Sequence, residues 1–257
     1  MIKRSRLTRV IYLFILTTIL CTGTIASLIV RSKSSTAIFV TSDKVYSNIY
    51  ITSKQFQYYK DYISLHQSVP QIRGLDNRNF ERKLNKMILH SSTKSRQSMI
   101  ESSRNYNKNS IKDKLPAIKF EYTEGFSVIP SINPYYNLAL FSYKYSGGAH
   151  GESTINYIVL DTKSNSIVHL KDIFKSNVDY LYILNNQLAV QLTSLQETTN
   201  IPLYIQPKDV SISENQNFYI DVDGNIVIVF NIYEIAPYVA GTIEVIIPKS
   251  NISIYMK

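Results

Sequence analysis

The chain of 257 residues contains no tryptophan, one cysteine, four histidines and eight glycines, and most of these scarcities remove a class of chemistry. The lone Cys21 excludes an internal disulfide. It follows Leu20 inside an apolar run, whereas lipoprotein processing needs a small residue just before the cysteine. Zinc wants three or four ligands, but there is no cysteine set and no HExxH, and His66, His90, His150 and His169 are scattered. No Gly-x-Ser-x-Gly elbow is present, and the carboxylates show no spacing that suggests a glycosidase pair. Asp221-Val-Asp223-Gly224-Asn225 begins like a calcium loop, yet its twelfth position is Ile232, which cannot hold a cation. Internal repeats and low-complexity tracts are also missing. The missing tryptophan, beside plentiful Ile, Asn, Lys, Ser and Tyr, reflects codon use and decides no chemistry. The expectation is a binding protein with no catalytic residues, no cofactor and no metal.

One long uncharged run is present. Val10 to Val30 carries no charge over 21 residues, and at 1.5 Å per residue it spans about 30 Å, the thickness of a hydrocarbon core. Lys3, Arg4, Arg6 and Arg9 precede it, and Arg31 and Lys33 follow. That asymmetry predicts a short cytoplasmic stub over 1–9, a transmembrane anchor over 10–30, a polar linker over 31–36 and an extracytoplasmic remainder. The competing reading is a signal peptide cleaved after Ala26, but Leu28, Ile29 and Val30 continue the run past that site.

The net charge of +9 is unevenly distributed. Residues 1–33 carry +6, 34–70 carry +1, 71–119 carry +8 and 120–257 carry −6. So polarised a chain does not look like a uniform nucleic-acid footprint, and no nucleic-acid partner is expected. The basic 71–119 stretch reads either as a solvated helix face or as a surface for anionic lipid or wall polymer.

Beyond the linker, Ala37–Ser53 alternates like one or two strands, and Tyr58–His66 reads as another, broken by Val69-Pro70-Gln71-Ile72. Asp76 or Asn77 caps a helix from near Arg78 to about Arg104, with Phe80, Leu84, Met87 and Ile88 inward and Arg82, Lys83 and Lys86 outward. Lys119–Ile129 and Asn137–Tyr145 are strands around a Pro130–Pro134 turn. Thr154–Asp161 follows the Ser146–Gly151 turn as a strand. Leu170–Phe174 starts a helical stretch, and Leu181, Leu184, Leu188 and Leu192 mark a core-facing stripe. A hairpin through Asp223-Gly224 joins Asn217–Val222 to Ile226–Ile232, and Gly241–Ile247 is the last strand. Without regular βαβ alternation, the class is α+β: mixed antiparallel sheets packed with two main helices.

Two stretches are more specific: Tyr145-Ser-Gly-Gly-Ala-His-Gly151, and Phe218-Tyr-Ile-Asp-Val-Asp-Gly224 followed by Ile226 through Tyr233-Glu-Ile-Ala-Pro-Tyr238 to Gly241. Together they resemble the paired extracytoplasmic domains of the anti-sigma-V factor RsiV and the N-terminal part of the peptidoglycan deacetylase PdaC. The likeness runs over about residues 38–253, with Val69–Leu75 and the helix after it in the first domain (37–165), and Leu170–Phe174 and Tyr233–Tyr238 in the second (166–257). The resemblance implies sensing of a cell-wall-associated protein such as lysozyme, to which the acidic 120–257 region is suited. The alternative is an accessory module for peptidoglycan or teichoic polymer. The nine-residue stub has no room for a sigma-binding segment, and no deacetylase domain follows Ile247-Pro248, so neither a sigma factor nor deacetylation is expected.

The candidate binding residues are Tyr145, His150, Glu152, Tyr233, Glu234 and Tyr238. The glycine run is no phosphate cradle, because a strand rather than a helix N-terminus follows it. It reads as a turn that can still present His150 beside Glu152. Tyr233 and Tyr238 either turn the chain or form a contact face, since tyrosine supplies area at low entropic cost.

Overall fold

A computed structural model describes residues 49–257. The expected stub, anchor and linker, and most of the Ala37–Ser53 strand, lie outside the described residues. Among the described residues, no helix is long and apolar enough to cross a membrane.

Strand β1 (Tyr50–Lys60) and strand β2 (Ile63–Arg73) form an antiparallel hairpin that pairs Lys60 with Ile63. The single strand expected at Tyr58–His66 is therefore two, turned at Asp61-Tyr62. The apolar run Tyr58, Tyr59, Tyr62, Ile63 crosses this turn and hides it. Pro70 does not break β2. The Ile72 N–H turns away from β1 to the Asn85 side chain, and alternate residues of a strand point their N–H groups the same way. The nitrogen of Pro70 thus faces that side, beyond the last β3 pairing at Gln67, where the ladder asks nothing of it.

Helix α1 (Arg78–Asp113) starts as its sequence dictates. The Asn77 side chain accepts hydrogen bonds from the amides of Asn79 and Phe80 at 3.1 and 3.0 Å. Glu81, buried, accepts from the amides of Gly74 and Leu75 and pairs with Arg78 at 3.0 Å. Leu84 and Ile88 are buried, and Asn85 clamps both the N–H and C=O of Ile72 at 2.8 Å. Met87 is exposed rather than inward, because it lies one position off the Leu84–Ile88–Ser92 line. The helix also outlasts Arg104 by more than two turns. Its inner face there carries Ser103 and Ser110, both buried, and these blur the apolar period.

Strands β3 (Phe120–Ile129), β4 (Tyr135–Tyr145), β5 (Glu152–Asp161) and β6 (Ser166–Ile167) complete a sheet whose spatial order is β1-β2-β3-β4-β5-β6. Only β2 and β3 pair in parallel, with α1 as the crossover between them. Tyr136, Leu138 and Leu160 face the core under α1, while Tyr135 and Val159 face a second core.

That second core is built by the C-terminal part. Helix α2 (Leu170–Ile173) is short, and α3 (Tyr180–Thr199) buries Leu184, Leu188 and Leu192 completely. They pack over a sheet of order β7-β8-β9, formed by Phe218–Ile220, Ile226–Phe230 and Ile243–Ile247, before helix α4 (Lys249–Ile252). Every residue of β8 is buried, so both faces of this central strand are covered, while the edge strand β9 leaves Glu244 and Ile246 exposed. At the β7–β8 turn the Asp221 carboxylate accepts from the amides of Asp223 and Asn225 at 2.9 Å, which is turn chemistry. The α+β expectation holds, with four α-helices among the described residues, two of them long.

Asparagine side chains join the two sheets. Asn137 donates to the Ile220 carbonyl at 2.6 Å, Asn217 bonds the Tyr157 amide and Ile155 carbonyl at 2.8 Å, and Asn231 accepts from the Ile155 amide at 2.8 Å. Each carboxamide supplies the donor and acceptor that a neighbouring strand would have offered. Residues 49–257 accordingly pack within one unit.

Candidate functional site

The β4–β5 hairpin and the loop after β8 meet at one end of the molecule. The hairpin turns through Ser146–Gly151 with Gly147 and Gly148 at φ of 106° and 101°, a region most side chains avoid. Gly151 is buried beneath the Tyr143 ring, which a Cβ there would strike. This close approach leaves His150 projecting from the turn.

The His150 ring stacks on Tyr238 with centroids 3.8 Å apart and 21° between planes. The Tyr233 hydroxyl lies 3.1 Å from His150 Nε2, and the Tyr233 and Tyr238 rings are 5.9 Å apart. Tyr233 holds a φ of 69°, a strained conformation for a tyrosine. Tyr145 donates to the Gly148 carbonyl at 3.1 Å, bracing the hairpin. Burial first, then the charge of Glu121 and the neighbouring Tyr238 and Tyr145 phenols, raises the phenol of Tyr143 above its ordinary value.

Hydrogen-bond donors can be assigned by elimination. The Gly151 carbonyl, 3.2 Å from His150 Nδ1, can only accept, so Nδ1 carries the proton. In the neutral imidazole Nε2 is then the acceptor, and the Tyr233 hydroxyl donates to it. Tyr233 and Tyr145 both direct their protons inward and present oxygen lone pairs outward. Tyr233, Tyr238 and Val239 are exposed. The Tyr204 amide bonds the Ile235 carbonyl at 2.9 Å, which brings exposed Tyr204 and Ile205 beside the same loop. The result is an amphipathic face with aromatic flats, aliphatic flanks and acceptor oxygens.

Of the six expected residues, His150, Tyr233 and Tyr238 converge, and Tyr145 supports them. The two carboxylates do not join. Glu152 pairs with Lys144 at 3.1 Å across β4–β5. Glu234 accepts from the Asn231 amide at 2.8 Å and the Gln216 side chain at 3.2 Å, tying down the loop. Tyr143, two residues before the Tyr145–Gly151 motif, was not among the expected residues. Its one signal is that two positions of strand separate it from Tyr145, so both rings share a face. Tyr157, Tyr219 and Glu244 were missed as well. The two phenols donate to the Glu244 carboxylate at 3.3 and 3.0 Å with rings 4.7 Å apart. Nothing local marks residues drawn from β5, β7 and β9. Among the described residues, no cluster of His, Cys, Asp and Glu could hold a metal ion.

Comparison with known proteins finds two family regions in the chain. Residues 56–153 match the family model of the deacetylase PdaC, and residues 171–250 match DUF3298, a family of unknown function. Over 208 residues the chain is 26% identical to the anti-sigma-V factor RsiV of Bacillus subtilis (strain 168), covering 79% of this chain and 69% of that protein. The crystal structure of a DUF3298 family member from Bacteroides fragilis matches with a TM-score of 0.67 at 18% identity, over 81% of this chain and 94% of that one. That likeness is one of fold. The chain thus carries a PdaC-type region followed by a DUF3298 region, and it is similar to RsiV across both.

Proposed function

We propose that this chain is a non-enzymatic sensing module, exported and held to the cell membrane by residues 10–30, whose His150–Tyr233–Tyr238 face docks a cationic protein of the lysozyme kind. The observation that carries the proposal is the prebuilt ring stack, with its phenolic acceptor oxygens turned outward beside exposed apolar side chains. Such a face suits arginine and lysine, which offer donors only and, for arginine, stack on aromatic rings. Rigid tyrosines also lose little entropy on contact. The −6 charge of residues 120–257 favours encounter with a cation. A binding role is further supported by Glu152 and Glu234, which are held in other interactions and leave His150 without a carboxylate to orient it.

The test is surface plasmon resonance with the full chain in nanodiscs of neutral lipid and purified lysozyme as analyte, at two salt concentrations. Retention at low salt that weakens as salt rises is expected. Tyr238→Ala should cost about tenfold or more in affinity, as central aromatic anchors do, with unchanged circular dichroism. No retention at low salt would overturn the lysozyme reading. Cleavage of the domain by protease added outside intact cells checks the topology.

A further inference from the structure

The register of α1 arranges six of its nine basic residues into a line. At 100° per residue, Lys83, Lys86, Lys94, Arg104, Lys108 and Lys112 fall on one side, opposite the buried Leu84, Ile88, Ser92, Met99, Ser103 and Ser110. All six cations are exposed. From Lys83 to Lys112 the line runs about 43 Å. His90, Gln97 and Glu101 share it, so two cationic groups flank a short polar centre.

Long surface helices ordinarily mix signs and gain from i,i+4 pairs. Here, among the described residues, no ion pair engages Lys83, Lys86, Lys94, Lys108 or Lys112. The nearest acid in sequence to the first two, Glu81, is buried and committed to Gly74, Leu75 and Arg78. The Tyr62 and then the Tyr58 hydroxyls raise the pKa of Arg104, so it keeps its charge. The aromatic face lies in the −6 region and this helix in the +8 region.

We propose that this face of α1 docks a flexible linear polymer of phosphodiester-linked units without bases. The partner class follows from shape and charge. The stripe is long and about one side chain wide, which fits a chain laid along it better than a plane. Insertion into a bilayer would need an apolar border rich in Leu, Phe or Trp, and the described outer face offers only Met87 and Ile111 as exposed large apolar residues. A single-stranded nucleic acid would need aromatic platforms interleaved with the cations. Tyr106 is the helix's sole tyrosine, and it turns inward onto Phe120. Lysine ammoniums serve as mobile point charges for phosphate without demanding fixed geometry.

The test is fluorescence polarisation of the full chain in zwitterionic detergent with labelled inorganic polyphosphate as probe. Binding should weaken about a hundredfold or more between 50 and 200 mM salt, as about six released counterions require. The triple variant Lys83→Glu/Lys86→Glu/Lys94→Glu, shown to be folded by its thermal melt, should lose affinity at least tenfold and flatten the salt slope. A charge-matched control, Lys163→Glu/Lys171→Glu/Lys208→Glu, changes exposed lysines outside α1 and should lose much less. Equal losses in the two variants would overturn the assignment to α1, as would no binding at 50 mM salt. Displacement of the probe by anionic phospholipid vesicles as effective, per accessible phosphate, as by unlabelled polyphosphate overturns it in favour of a membrane. Displacement by oligodeoxythymidine far better than by polyphosphate overturns it in favour of nucleic acid.

Discussion

At the scale of single residues, this fold rests on polar side chains that imitate or satisfy backbone. Asn137 is fully buried and bonds the Ile220 peptide on both sides, with 2.6 Å to its carbonyl and 3.4 Å from its amide. Truncation leaves the Ile220 amide without this acceptor, and its carbonyl keeps only the Ser131 hydroxyl as a side-chain donor at the junction of the sheets. Asn137→Ala should therefore cost about 2–3 kcal/mol, read as a fall in the urea midpoint at unchanged m-value. A loss below about 0.5 kcal/mol would mean that water replaces the carboxamide freely. The phenols give a pH dependence. Burial first, then the charge of Glu124, pushes Tyr122 from 10.0 up to about 12. Burial and Glu244 raise Tyr157 and Tyr219 as well. The unfolded chain releases these protons first. The contribution to stability is thus whole below about pH 10 and declines as pH rises toward 12. Urea melts at stepped alkaline pH should show that decline, and Tyr122→Phe should make it shallower. An identical slope in that variant would show that Tyr122 titrates alike in both states.

At the scale of elements, the helix starts and the apolar stripes were legible, and the contacts between elements were not. Asn77 announces α1 because a short polar side chain can accept from the first free amides. Leu184, Leu188 and Leu192 announce α3 because they recur at helical spacing, and all three are fully buried. The turn at Asp61-Tyr62 was hidden by the tyrosines on either side of it, and the last third of α1 by serines on its inner face. The candidate site was half legible. His150, Tyr233 and Tyr238 could be named from two motifs, yet only the fold brings His150 to 3.8 Å from Tyr238 across more than eighty residues of chain. The Tyr157–Tyr219–Glu244 group had no local signature at all. One consequence belongs to α3. Leu188 is central in a stripe that packs against β9 and shares one core with β8, so Leu188→Ala opens a cavity inside that core. A loss of about 2–5 kcal/mol is expected from thermal or urea melts. A loss under about 1 kcal/mol would show that α3 sits loosely on its sheet.

At the scale of the molecule, the two family regions differ in sequence kinship but share one structure. β4 and β5 have no solvent face over their buried stretch: Leu138 and Leu160 serve the core under α1, while Asn137 and Val159 serve the core under α3. A sheet buried on both sides cannot lose one cover without exposing apolar surface and unpaired carboxamides. The segment that joins the regions adds to this, since the Val168 amide bonds the Val159 carbonyl at 2.8 Å and Asn165 accepts from the Asn77 amide at 3.2 Å. Unfolding should therefore be one cooperative transition for residues 49–257, with far-ultraviolet dichroism and tyrosine fluorescence tracing coincident curves. A fragment ending at residue 165 should aggregate or bind a hydrophobic dye, having lost the cover over Tyr135 and Val159. Two separated transitions, or a soluble and fully protected fragment, would show that the cores are independent. Cooperativity also bears on the proposed sensing role. A partner that grips the His150–Tyr233–Tyr238 face holds the β4–β5 hairpin and the loop after β8 together, so it stabilises the whole unit in proportion to its concentration over its dissociation constant. Saturating lysozyme should then raise the single melting temperature of the full chain. A Tyr238→Ala chain should show that rise only at correspondingly higher lysozyme.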